Sequence, residues 1–201
     1  MQRIARNQKT KHRMKKILLS VVMVALFAAV GCSKQREWSD KERHALRKDI
    51  KAYRDMLYLD NLAEAEFDAF SGDVVEAIEI DYPVYTTFVE LPARGDTVEV
   101  YVVSMIVNEL DADAHNMRNI YPYPWLVAEG ILPAGLNHQA QRAFYECFAR
   151  KVDNYYVTTE AFFDALLNDT AEDGALSNMQ MQCAAELFDW GVEIDETIVV
   201  E

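Results

Sequence analysis

The sequence predicts an all-α fold, in which a compact domain of seven or so helices follows an N-terminal signal segment. Apolar residues recur at helical spacing through most of the chain, and capping residues precede several of these stretches. Only five prolines and seven glycines interrupt the 201 residues. No linker rich in glycine and serine divides the later part of the chain, so we expect one mainly helical domain over residues 39–201.

The first predicted helix begins near Asp40, because Ser39 and Glu42 form a capping box just before it. Its apolar residues continue at helical spacing, and it should end near Leu59. Two short helices are then expected, over 62–71 and 73–81. Gly72 is interpreted as the break between these two helices.

The stretch from residue 83 to 107 fits two different structures. It is rich in β-branched and aromatic residues, and two runs around "PARGD" could pair as a hairpin over 85–106, which would make the fold α+β. Asp96 and Glu99, however, form a second pair of capping type, and apolar residues continue at helical spacing as far as Met117. The favoured prediction is therefore a helix on each side of "PARGD", within residues 83–107.

Three further helices are predicted in the last third of the chain. Asn137 or His138 begins the first of them, and Thr158 or Thr159 caps the second. Ser177, with Gln180 three residues later, is expected to cap the last one.

The N-terminal segment has the charge pattern of an export signal. Residues 1–16 carry seven basic residues and no acid, and residues 17–30 carry no charge. These 14 uncharged positions, of which only Ser20 is polar, are too few for a membrane-spanning helix, which needs about 20. A basic region followed by an apolar region of this length is typical of a secretory signal peptide, which here starts at Met1 or at Met14.

Small residues at positions 28–31 lead directly to Cys32. This order resembles the lipobox of bacterial lipoproteins. The resemblance implies that a peptidase removes residues 1–31 and that Cys32 carries acyl chains such as palmitate. Several acyl chains hold a protein on a bilayer far more firmly than one. Residues 32–38 would then form a lipid-anchored tether that leads to the domain.

The resemblance also implies a location in the cell envelope. Ser33 is not the aspartate that retains enteric lipoproteins at the inner membrane, which implies the outer membrane. No acidic run follows the cysteine, and this favours the periplasmic face over the cell surface.

The charge of the mature chain is acidic and uneven. Without residues 1–31, 13 basic and 33 acidic residues remain, a formal net charge of −20, which argues against nucleic acid as a partner. Residues 33–54 carry eight basic and four acidic residues, whereas residues 55–201 carry five basic and 29 acidic ones. The basic first helix is expected either to pack against the acidic body or to lie near anionic lipid head groups.

No motif predicts a catalytic site, a cofactor or a metal. The chain lacks the GxSxG, HExxH, CxxC and glycine-rich phosphate-binding patterns. Asp111 and His115 could supply two metal ligands, but a site needs three or four. An EF-hand-like loop begins at Asp169 but carries Ala171 and Gln180 at positions where calcium ligands are required.

Two features remain as candidate site residues. Cys147 and Cys183 lie on apolar helix stripes, where they would form a disulfide in an oxidising compartment or remain two buried thiols. Tyr121, Tyr123 and Trp125 alternate with prolines, which predicts an extended segment. These aromatic side chains could form a partner surface, but we expect them to fill the core, with Trp125 packed inward.

The function predicted from these observations is a non-enzymatic interaction or scaffold role at the cell envelope. The protein would be held on the membrane by its N-terminal acyl chains and would bind a protein partner whose identity the sequence does not indicate. One alternative is a binding module for a small or cationic ligand. A second alternative is a hydrolase that uses two acidic residues with shifted pKa values.

Overall fold

Amphipathic helices build the part of the chain that the structure describes. The computed structural model describes residues 35–191, and those from Arg36 onward belong to one compact unit. Within this range the only β-structure is an isolated antiparallel bridge between Glu37 and Val84. The all-α prediction is confirmed. The predicted signal peptide and Cys32 lie outside the described residues.

The α-helices of this range are joined by short turns, three of which are 3-10 helices (Lys51–Tyr53, Leu59–Asn61 and Ala114–Asn119). In residues 35–191, no helix combines the length and the apolar character that crossing a membrane requires. The bounds are α1 (Asp40–Ile50), α2 (Glu64–Asp81), α3 (Tyr85–Val89), α4 (Arg94–Ala112), α5 (Tyr123–Ala128), α6 (His138–Tyr156), α7 (Thr159–Leu167) and α8 (Asp173–Phe188).

Trp38 anchors the start of the domain. Its indole N–H donates a hydrogen bond to the carbonyl oxygen of Tyr82 at 2.7 Å, and its ring centroid lies 4.9 Å from that of Tyr85. The side chain is buried against the core, which favours folding through its large apolar area. Residues 36–38 therefore belong to the folded unit, although the sequence assigned them to the tether over 32–38.

Three of the predicted helix starts are confirmed by their hydrogen bonds. The N–H of Ser39 donates to the Glu42 carboxylate at 3.2 Å, as a capping box requires. The side chains of Asn137 and Thr158 each accept from the backbone N–H three residues later, at 2.9 and 3.1 Å. These bonds satisfy donors that would otherwise be unpaired in the first turn of a helix.

The first helix ends earlier than predicted, at Ile50, and the chain then turns sharply before α2. Tyr58 adopts a left-handed backbone conformation with φ of 84°, which is strained for a residue with a bulky side chain. Burial of the Tyr58 ring and a hydrogen bond from its hydroxyl to Glu109 hold it there. The guanidinium of Arg54 closes the same turn by donating to the carbonyl oxygen of Leu59.

Gly72 does not break the chain into two helices, and the prediction of separate helices over 62–71 and 73–81 is wrong. The helix α2 runs through this position because buried residues on both sides continue one stripe, including Phe70, Val74 and Ile78. A glycine inside a helix lowers stability by only about 1 kcal/mol, which the burial of this stripe outweighs. A Cβ at residue 72 would lie 3.0 Å from a guanidinium nitrogen of Arg47, so the glycine also permits close approach to α1.

The segment 83–107 is helical, and the alternative hairpin over 85–106 is wrong. The side chains of Val98, Val102, Ile106 and Leu110 are buried, and their spacing of four places them on one face of α4. Packing of this face overrides the strand preference of its β-branched residues. The helix ends at Ala112, before the predicted continuation to Met117.

The last three helices enclose an aromatic core. Most of the apolar stripe of α6 is buried, as are the phenylalanines of α7; these residues are Phe144, Cys147, Phe148, Val152, Phe162 and Phe163. Tyr155, near the C-terminal end of the stripe, is instead 46% exposed. The helix α8 begins at Asp173, so the prediction that Ser177 caps it is wrong. Leu176 packs into the core and thereby extends α8 upstream of the expected cap.

Candidate functional site

A groove lies between α5, with the turn that follows it, and α8. Its volume is about 470 Å³, within the range of sites that hold ligands in proteins. We call it the Trp125 groove, and its lining residues are Tyr121, Trp125, Glu129, Gly130, Ile131, Leu176, Ser177, Gln180 and Met181.

Trp125 is 44% exposed, and the prediction that it packs inward is wrong. Pro122 has an extended backbone, with φ of −60° and ψ of 139°, but α5 begins at the next residue, so Tyr123 and Trp125 are helical. In a helix each residue turns the side-chain direction by about 100°, and here the inward position falls to Leu126, which is fully buried. Trp125 consequently faces the groove and the solvent.

Tyr123 has a structural role. Its hydroxyl donates to the carbonyl oxygen of Pro133 at 2.9 Å and accepts from the N–H of Leu136 at 2.9 Å. These two bonds tie the first turn of α5 to the loop that leads into α6. Tyr123 is half-buried and does not line the Trp125 groove, so it is not part of the candidate partner surface.

The ring of Tyr121 packs between Trp125 and the core residue Phe148. Its ring centroid lies 5.8 Å from that of Trp125 and 5.4 Å, edge to face, from that of the buried Phe148. Its carbonyl oxygen accepts a hydrogen bond from the Tyr145 hydroxyl at 2.8 Å. Of the three aromatic residues singled out in the sequence, two therefore meet at one site, which is held in place by core residues of α6.

Gln180 is the polar residue that the sequence did not indicate as part of a site. Its side chain is 2% exposed, and its amide nitrogen has no hydrogen-bond partner among residues 35–191. Leaving a buried amide unpaired costs about 1–3 kcal/mol, so an acceptor that entered the groove would gain this hydrogen bond. One feature of the sequence could have indicated that Gln180 is buried, namely its position between Leu176 and Cys183 on the apolar stripe of α8.

A disulfide between Cys147 and Cys183 joins α6 to α8, with Cα atoms 5.9 Å apart. Cys183 lies one helical turn after Gln180 and therefore holds the α8 wall of the groove against the core. Lys151 adds a second connection between the same helices through its ion pair with Glu186 at 2.8 Å. Of the two states predicted for these cysteines, a disulfide or two buried thiols, the structure has the disulfide.

A second groove, of about 490 Å³, lies between α1 and α2. Two of its four charged lining residues satisfy each other, because the Arg43 guanidinium donates to both Glu79 carboxylate oxygens at 2.7 and 2.8 Å. These hydrogen bonds lower the pKa of the Glu79 carboxyl. The Trp125 groove, with an unpaired donor in its wall, is the stronger candidate for a ligand site.

Two carboxyl groups have raised pKa values, the property expected of a hydrolase site. Burial raises the pKa of Glu109, which accepts a hydrogen bond from Tyr58. Burial and repulsion from Asp111 raise the pKa of Asp153. Neither carboxyl lines either of the two grooves.

The two candidate metal ligands contact other parts of the domain, and the Nδ1 atom of His115 is buried without a hydrogen-bond partner among the described residues. Asp111 accepts a hydrogen bond from Thr159, and the His115 ring lies edge to face with Tyr145 at 5.5 Å. Helix α8 begins at Asp173, inside the EF-hand-like loop. Among the described residues, no three histidine, cysteine or acidic side chains cluster in a way that could hold a metal ion.

Comparison with known proteins adds no assignment. No protein-family model, curated protein or solved structure matches this chain.

Proposed function

We propose that this protein is a lipid-anchored, non-enzymatic interaction protein of the bacterial cell envelope that holds a partner segment in the Trp125 groove. One observation carries the proposal: an exposed Trp125 and a buried, unpaired Gln180 amide line the same groove. An apolar side chain of the partner would cover the indole ring. A carbonyl oxygen of the partner's backbone would accept the hydrogen bond that Gln180 offers.

A protein segment fits this site better than a small molecule. Met181 is 48% exposed beside Trp125, and Trp190 donates its indole N–H to the carbonyl oxygen of Gly130 at the groove rim. Tryptophan and methionine are enriched in protein interfaces, where a few such residues supply most of the binding free energy. Glu129 is the only charged residue in the lining, so a partner segment with a basic residue is favoured.

The volume of the groove favours a second candidate function, the binding of a small or cationic molecule. The site is open on one side, however, whereas small-molecule sites bury most of the ligand surface. We therefore treat a bound small molecule as an outcome that the experiment must distinguish.

The proposal predicts that Trp125→Ala weakens binding without unfolding the domain. Since Trp125 is half-exposed, its removal should change the free energy of unfolding by less than about 1 kcal/mol. Loss of a central interface tryptophan should weaken partner binding about 30-fold or more. Thermal denaturation and titration with the partner identified below would measure the two effects.

The partner would be identified by a photo-crosslinking amino acid placed at Met181, with Leu167 on α7 as the matched exposed control. We expect one defined protein adduct from position 181, lost in the Trp125→Ala background and absent at position 167. The variant Gln180→Met should also reduce the adduct while keeping the helix folded. An adduct that persists in both variants contradicts the proposal. A co-purifying small molecule in native mass spectrometry, lost on Trp125→Ala, would favour the second candidate.

The membrane anchor is a separate prediction that rests on the lipobox-like order before Cys32. Changing Cys32→Ala should leave a full-length precursor that takes up no labelled palmitate, because the acylated thiol is missing. Incorporation of palmitate by that variant would contradict the assignment.

Protease added to intact cells should leave the domain uncut if it faces the periplasm from the outer membrane, and cleavage would contradict this location.

A further inference from the structure

The two sides of α1 have different chemical characters. Leu46 and Ile50 pack into the core, and Arg43 on the same side is paired with Glu79 at 2.7 Å. Lys41 and Lys48 lie seven residues apart on the opposite side and are exposed to solvent. Neither lysine makes an ion pair or hydrogen bond with the described residues 35–191. The ion pair between α1 and α2 therefore lies on the inner side of α1. The positive charges of the two lysines on the outer side are not neutralised by it.

The outer face of α1 is basic without acidic side chains among its members, which are Lys41, His44 and Lys48. The three acids of α1 all form ion pairs, although Asp40 is fully exposed and lies one helical turn before His44. Asp40 pairs with Arg43 at 3.1 Å, and Asp49 pairs with Arg94 at 3.3 Å. Beyond residue 54 the chain carries 29 acidic and only five basic residues. The solvated basic face of α1 is therefore a local exception to the negative charge of the chain.

We propose that this face, Lys41, His44 and Lys48, rests on the anionic head groups of phospholipids. Each lysine that reaches an anionic bilayer surface contributes roughly 1 kcal/mol of attraction, equal to a factor of about five in partitioning. At about 0.1 M salt, charges more than about 10 Å away are largely screened. The face nearest the bilayer is therefore attracted, although the whole chain is acidic.

The position of the predicted anchor supports this partner over other polyanions. Cys32 precedes Arg36 by four residues, and even a fully extended chain of that length reaches at most about 14 Å. If Cys32 is acylated, as proposed above, α1 is the first helix that meets the bilayer surface. The acyl chains would then supply attachment, and the basic face would set the orientation of the domain.

Vesicle flotation of the unacylated chain tests the inference independently of lipidation and of the Trp125 groove. The chain from Ser33 to Glu201 contains every described residue and lacks the cysteine that would be acylated. At about 0.1 M salt we expect it to partition more strongly onto vesicles that contain phosphatidylglycerol than onto pure phosphatidylcholine. The double variant Lys41→Gln/Lys48→Gln should lose at least about tenfold of that partitioning.

The matched control is Arg118→Gln/Arg150→Gln, which removes the same charge from elsewhere on the domain. It should partition like the parent, since a loss shared by both variants would indicate a response to net charge and overturn the inference. Equal partitioning of the parent onto both kinds of vesicle would also overturn it.

A second measurement uses the chain from Cys32, coupled through that thiol to a lipid in a nanodisc. Head-group spin labels should broaden the amide signals of residues 41–48 in anionic discs, and absence of this broadening contradicts the proposal.

Discussion

The substitution Phe148→Ala should lower the free energy of unfolding by about 3–5 kcal/mol. Phe148 is fully buried in the middle of α6, and its ring stacks on that of Phe144 at 6.2 Å between centroids. Truncation removes a large apolar side chain and leaves a cavity that a packed helical core refills poorly. For a domain of this size the melting temperature should fall by roughly 6–20 °C, measured by circular dichroism.

Two controls separate the cavity from other effects of this substitution. Arg150→Ala changes an exposed residue of the same helix and should alter stability by less than about 0.5 kcal/mol. Phe148→Leu keeps most of the apolar volume and should lose about 1–2 kcal/mol. Because Tyr121 packs edge-on against Phe148, Phe148→Ala should also speed hydrogen exchange at residues 121–126. If Phe148→Ala melts like Arg150→Ala, the description of this core is wrong.

Reduction of the Cys147–Cys183 bond should lower the free energy of unfolding by about 3–4 kcal/mol. The two cysteines are 36 positions apart, and the bond restricts the unfolded chain by closing the loop between them. The loop contains α7, so the bond joins helices that are not consecutive in the chain. Intact mass after alkylation, with and without reductant, determines whether the bond is present.

Reduction should also loosen the wall of the Trp125 groove. Cys183 follows Gln180 and Met181 in α8, so the disulfide holds the part of α8 that carries these two groove residues. Hydrogen exchange should therefore rise along residues 176–184 more than along α6. Alkylation of both thiols without reductant, in protein produced in the periplasm, would exclude the bond. A Cys147→Ala/Cys183→Ala variant as stable as the parent would contradict the predicted stabilisation.

Local signals in the sequence predicted several parts of the fold correctly. Asn137 and Thr158 mark helix starts because their side chains accept hydrogen bonds from backbone N–H groups three residues later. At Ser39 the Glu42 carboxylate accepts from the backbone N–H, and none of these interactions needs a distant partner. The buried stripe of α6 was predictable for a similar reason, since its apolar residues repeat at helical spacing.

Other features could not be predicted, because they depend on helix phase and on neighbours distant in the chain. Gly72 was interpreted as a stop, but burial on both sides of it carries α2 through. Ser177 was interpreted as a cap, but contact of Leu176 with the core begins α8 earlier. In each case tertiary packing outweighs a local preference of about 1 kcal/mol.

By itself, the sequence determined the helical character of the domain and several of its helix starts, and its acidity argues against nucleic acid as a partner. It also supplied the lipobox-like order at Cys32, which predicts the membrane anchor. Only the tertiary structure decided that Trp125 faces outward and that the Gln180 amide is buried beside it. The reason is geometric: one residue of helix phase is about 100°, so a small shift of a helix start exchanges core and surface side chains.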